Sequence, residues 1–115
     1  MRCAREPSSF YLAEVFAPRG GLESQRAAAE RLDAAVTAHT SRGERVRHLH
    51  SLFVPDEETT FHLLESEGPA VVDRVLRDAG VEAERIHPAI SVAGNGRGEV
   101  PAPAIGRGGR YLPGR

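Results

Sequence analysis

Five histidines, His39, His48, His50, His62 and His87, are the side chains here with the widest chemical range, and their spacing singles out one segment. Arg47-His48-Leu49-His50-Ser51 lies in a run rich in strand-forming residues. A regular strand puts alternate side chains on one face, so His48 and His50 are expected side by side, about 7 Å apart along the backbone. A His-x-His pair of this kind holds one divalent transition metal, nickel, zinc or copper, when a further imidazole or a carboxylate joins it. His62 and Glu14 are the expected additional ligands. Only neutral imidazole binds a cation, so affinity is expected to fall below pH roughly 6.5. The plainer reading of the same residues is a half-exposed outer sheet face with scattered polar positions. His39 is expected at a helix boundary and His87 at a strand edge, neither of them a ligand, and Cys3 has no predicted helix N-terminus or cationic pocket near it, so a catalytic thiol is not expected.

Other chemistries are excluded by absence. The chain has no lysine, hence no phosphate-cradling loop of the Walker type, and it contains no HExxH, CxxC or GxSxG. Gly94-Asn95-Gly96-Arg97-Gly98 lacks the spacing of a dinucleotide fingerprint and reads as linker glycine. Arg107-Gly108-Gly109-Arg110 is a single Arg-Gly repeat, too little for RNA.

The elements that must position the histidines follow from punctuation and periodicity. Residues 10–16 are aromatic and β-branched and run into Ala17-Pro18-Arg19-Gly20-Gly21, a strand followed by a turn. Residues 22–41 hold no Gly or Pro, and Ala28, Leu32, Ala35, Val36 and His39 share one helical face, with Gly43 as the stop. Residues 46–54 and 59–65 form two further strands around Pro55-Asp56-Glu57-Glu58, a hairpin. Gly68-Pro69 opens a second helix, in which Val72, Val75, Leu76 and Ala79 share a face and which Gly80 closes. Residues 85–92 make a last strand, and Pro88 suits it to a sheet edge.

The order βαββαβ is commonly solved as a four-stranded antiparallel sheet, order 4-1-3-2, with both helices on one face: the ferredoxin-like α+β fold. RNA-recognition domains share the order, but the third strand here, Thr59-Thr60-Phe61-His62-Leu63-Leu64-Glu65, carries one aromatic and no cation. The hairpin register stays open. A five-residue loop, 55–59, sets His62 opposite Leu52 on the face of His48 and His50, whereas a four-residue loop, 55–58, pairs Val54 with Thr59 and turns His62 to the other face. Leu52, Val54 and Leu64 are expected on the uncovered face of the sheet, an apolar surface that favours a homodimer.

A chain of 115 residues with 40% apolar content is one domain. Residues 10–93 are expected to form it. Residues 1–9 read as a flexible leader, and residues 94–115, rich in Gly and Pro, as a flexible tail. That tail carries four arginines and one glutamate; the other 93 residues carry 11 arginines and 15 acidic residues, a net charge of −4. An acidic body argues against nucleic acid as partner. Short apolar runs and a start without an apolar segment point to a cytoplasmic protein, with neither membrane span nor export. One cysteine allows no internal disulfide.

From residue 10 to residue 92 the chain resembles a family of small ferredoxin-like proteins of unknown function, common in actinobacteria, that includes a cytoplasmic nickel-binding protein. The resemblance rests on the aromatic first strand, on Val46-Arg47-His48-Leu49-His50-Ser51-Leu52-Phe53-Val54-Pro55, on Phe61-His62-Leu63-Leu64-Glu65, and on Gly68-Pro69-Ala70, Ala79-Gly80 and Arg85-Ile86. It implies the fold, dimerisation through the uncovered sheet face, and metal binding. The nickel-binding relatives carry a histidine pair late in the first strand. This chain has Ala13-Glu14-Val15-Phe16 there, so the resemblance leaves Glu14 as the ligand in that region and moves the centre of a metal site to the second strand.

The leading expectation is therefore a dimeric binding protein with a transition metal at His48, His50, His62 and Glu14. Its rival is an enzyme of the dimeric α+β barrel type, with a small organic substrate between sheet and helices and proton transfer by His62 or Glu14. A third is an interaction module without a ligand.

Overall fold

A computed structural model describes residues 9–93. The expected tail, 94–115, and the expected leader lie outside the described residues, apart from Ser9, which already belongs to the first strand. The elements are β1 (Ser9–Phe16), α1 (Leu22–Ser41), β2 (Val46–Val54), a single 3-10 turn (Pro55–Glu57), β3 (Thr59–Ser66), α2 (Pro69–Ala79) and β4 (Arg85–Ala89). They form one antiparallel sheet in the order β2-β3-β1-β4. This is the ferredoxin-like α+β fold, in the strand order that the sequence implied.

Each helix ends where its punctuation requires. Gly80 takes the left-handed conformation at φ +73°, where a side chain would be strained. Its N–H bonds the carbonyl of Arg77 while that of Val81 bonds Leu76, which closes α2 with two of its last carbonyls satisfied. At the other end Pro69 occupies the first turn, where no intrahelical N–H is needed. The last strand is shorter than the periodicity suggested. Phe10 pairs with Ala89, so the next residue, Ile90, would face the start of β1, and Ile90 and Val92 are 85% and 91% exposed.

Side chains on β3 alternate between buried and half-buried, which defines the two faces of the sheet. The inner face carries Ala13, Thr60, His62, Leu64 and Ser66, all nearly inaccessible. Against it pack Leu32 and Ala35 of α1 and Val71, Val72, Val75 and Leu76 of α2. The buried Thr60 hydroxyl donates to Gln25 Oε1 at 2.8 Å, which ties the start of α1 to the sheet. Among the described residues no helix is long and apolar enough to cross a membrane.

Among the described residues no helix covers the outer face. Phe10, Leu12, Phe61 and Leu63 line its centre half-buried, and Phe16 and Leu52 are 51% and 56% exposed. Leu52 and Val54 lie on this face as expected. Leu64 does not: it is fully buried beneath the helices, because the hairpin register turns the even-numbered positions of β3 inward.

Candidate functional site

The hairpin sets the histidine geometry. Val54 pairs with Thr59, so four residues, 55–58, form the connection, with Glu58 in the left-handed region at φ 52°. His62 is thus opposite Ser51, and both face the helices. A regular β2 would then carry Leu49 inward with Ser51, and His48 and His50 outward. Instead the register shifts between His48, opposite Leu64, and His50, opposite Leu63. This bulge inserts one residue into β2 and reverses the facing of everything before it. His48 turns inward to join His62, and His50 stays exposed on the outer side.

The expectation that His48 and His50 share a face therefore fails, and the reason is the bulge. Glu14 is also apart from the pair. It sits on the outer face between Phe61 and Arg85 and accepts a hydrogen bond from His87 Nε2 at 3.0 Å. Of the four expected ligands the fold brings together two, His48 and His62, whose ring centroids are 5.9 Å apart at 70°. Among the described residues no three His, Cys, Asp or Glu side chains converge as metal ligands.

Two residues not singled out by the sequence complete the cluster. His48 Nδ1–H donates to Asp33 Oδ1 of α1 at 2.6 Å. Its Nε2 lies 2.7 Å from Ser51 Oγ, which is 2.6 Å from His62 Nδ1. The result is a continuous chain from the exposed Asp33, through His48 and the half-buried Ser51, to the fully buried His62. Burial, and next the neighbouring His48, push the His62 pKa down to about 4, against the smaller opposing effect of Asp33. His62 is neutral at pH 7, and its Nε2 is buried without a hydrogen-bond partner among the described residues.

Proton positions follow from the network. With Nδ1–H of His48 given to Asp33, its Nε2 accepts from the Ser51 hydroxyl. Ser51 Oγ in turn accepts from His62 Nδ1–H, and His62 Nε2 is left as a bare lone pair. The reverse polarity would bury an N–H with no acceptor, the costlier orphan.

Asp33 adjoins Leu32, the fully buried anchor of α1, and this adjacency was its only sequence signal. Ser51 had none, because nothing in Arg47-His48-Leu49-His50-Ser51 marks a bulge. His39, expected at a helix boundary, is 2% exposed. It donates from Nδ1 to Glu44 at 2.5 Å and from Nε2 to Asp78 at 2.7 Å, which joins the end of α1 to the loop before β2 and to α2. Two open depressions of about 460 Å³ each flank α2 and β4, one lined by Tyr11, Pro69, Ile86 and Pro88, the other by Leu76, Val81 and Glu84. Neither includes a residue of the Asp33–His62 chain.

No family model matches the chain, and no curated protein matches it. Among solved structures, the crystal structure of SCO4226 from Streptomyces coelicolor A3(2) aligns with a TM-score of 0.58 at 19% identity, over 73% of this chain and 99% of that one. At that identity the likeness is one of fold, and the chain is a small α+β domain structurally similar to SCO4226.

Proposed function

We propose that this chain is a homodimeric binding protein that holds a divalent transition metal, nickel, zinc or copper, at His48 and His62. One observation carries the reading: His48 Nε2 and His62 Nδ1 converge on one point, now held by Ser51 Oγ at 2.7 and 2.6 Å. A cation near that point would take one nitrogen from each ring, the His62 proton moving from Nδ1 to Nε2 on binding, with the Ser51 hydroxyl and water as further oxygen donors. Asp33 stands behind His48 on the opposite ring nitrogen, the arrangement in which a carboxylate orients an imidazole ligand. His50 and Glu14, on the other face, take no part. The resemblance to a family with a nickel-binding member is the reason nickel heads the candidates.

Titration calorimetry with Ni²⁺ and Zn²⁺ at pH 7.5 tests this. Binding is expected to weaken about tenfold or more in His48→Ala and to stay unchanged in His50→Ala, while Asp33→Asn loses about tenfold through the orientation of His48. Absence of binding to the unaltered protein, or equal losses in His48→Ala and His50→Ala, ends the reading.

The dimer rests on the outer sheet face. A row of half-buried Phe10, Leu12, Phe61 and Leu63 and exposed Leu52, without a helix over it among the described residues, favours a covering partner. That face carries Glu14 and Glu65 together with Arg47 and Arg85, both signs on one surface, which lets a second copy meet it isologously. Sedimentation at micromolar concentration is expected to give twice the 12.4 kDa chain mass, and Leu52→Glu to shift the protein toward monomer. A 12.4 kDa species for the unaltered chain refutes the dimer.

A further inference from the structure

Asp33, His48 and Ser51 stand in a functional order. The carboxylate accepts from one ring nitrogen at 2.6 Å, and the opposite ring nitrogen reaches the serine oxygen at 2.7 Å. A serine hydroxyl is a weak nucleophile until an adjacent base takes its proton, and that base works best when a third group fixes its tautomer. Both conditions are met here, on a strand and a helix rather than on loops. A second imidazole contacts the same oxygen: His62 Nδ1–H donates to it at 2.6 Å, which holds the Ser51 hydroxyl with its hydrogen toward His48. Among the described residues no polar neighbour competes for the other nitrogen of His62.

We infer that, in the metal-free protein, Ser51 is an activated nucleophile that takes an acyl or phosphonyl group from a small activated ester or fluoride. Acylation would run as follows. Ser51 Oγ bonds to the carbonyl carbon while its proton passes to His48 Nε2; the bond from that carbon to the leaving oxygen breaks, and the leaving oxygen takes the proton from His48. Ester and serine thus become acyl-serine and alcohol. Water, activated by the same nitrogen, returns serine and releases the acid. Asp33 touches no reacting atom and is a positioning residue. The half-buried setting of Ser51 restricts the substrate to small groups. The inference goes beyond the proposed metal site and does not depend on it, since it concerns the protein with no metal bound.

The test is covalent trapping. The full-length protein, treated with EDTA, is incubated with a small alkyl phosphonofluoridate and followed by intact mass and peptide mapping. Oγ–P forms, P–F breaks, and fluoride leaves with the serine proton passing to His48 and then to solvent. The expected result is one phosphonyl group on Ser51, absent from Ser51→Ala. Labelling is expected to slow about tenfold or more in Asp33→Asn, whose circular dichroism and melting temperature match the unaltered protein because Asp33 is an exposed helix residue. Phosphonylation restored in Asp33→Glu would separate orientation of His48 from a general structural role. No modification of Ser51 in the folded protein, or equal rates in the unaltered and Asp33→Asn proteins, overturns the inference.

Discussion

The His39→Ala protein is expected to unfold with about 2 kcal/mol less free energy than the unaltered chain, the cost of a buried side chain and two charge-assisted hydrogen bonds, reduced by the exposure of the carboxylates. His39 is buried between α1, the following loop and α2, and both of its ring nitrogens donate to carboxylates. Hydrogen bonds to Glu44 first and Asp78 second raise its pKa, against burial and the nearby Arg42. Glu44 is held below the ordinary carboxylate range chiefly by His39, and Arg74 donates to its other oxygen at 3.1 Å. The imidazolium serves both carboxylates; the neutral ring can donate to one.

The pH dependence follows from the direction of the shift. The folded pKa of His39 lies above the unfolded value of about 6.5, so the folded state holds the proton more tightly and the contribution is complete below that value. It is lost as pH rises through the folded pKa. Urea denaturation of the unaltered protein should therefore show a midpoint that declines from pH 6 toward pH 9. The decline should be absent in His39→Gln. At the acid end the lowered pKa of Glu44 acts in the opposite sense, with stability present above about 4.5 and lost as pH falls through its folded value. Parallel midpoint curves for the two proteins above pH 6 would refute this role of His39.

The second large effect has the opposite sign. His62→Leu should gain about 1 kcal/mol in stability while metal affinity falls about tenfold or more. A fully buried imidazole with an orphaned nitrogen is a standing cost to the fold, and replacing it with an apolar group of similar size removes that cost and leaves Ser51 bonded to His48. Thermal denaturation and calorimetry on the same sample separate the two outcomes. A fall of more than 1 kcal/mol would mean that His62 serves the core, and the case for a retained functional histidine would be lost.

Local chemistry was enough for the element order. Gly43, Gly68-Pro69 and Gly80 interrupt the helices wherever they stand, Pro88 bars a central strand, and residues 22–41 have a single apolar face. Those constraints act between residues a few positions apart, so the ferredoxin-like arrangement and its strand order were legible from the chain alone. The histidine pair was not: the spacing pointed to His48 and His50, with His62 or Glu14 as an added ligand, whereas the structure brings His48 to His62.

Which face they share was decided in the tertiary structure. The four-residue connection at 55–58 turned His62 toward the helices, and the register shift between His48 and His50 turned His48 after it. A bulge without glycine or proline leaves no mark in the sequence, because it arises from the pairing of β2 with β3 and the packing of the inner face. Asp33 joined the cluster because the buried Leu32 seats α1 over that part of the sheet, and Ser51 because it stands opposite His62. His39 met Asp78, 39 residues away, only once the two helices lay side by side. Residue types and periods specify what each element can offer; contacts between elements distant in sequence select which side chains meet, since a shift of one residue in a strand reverses every facing beyond it.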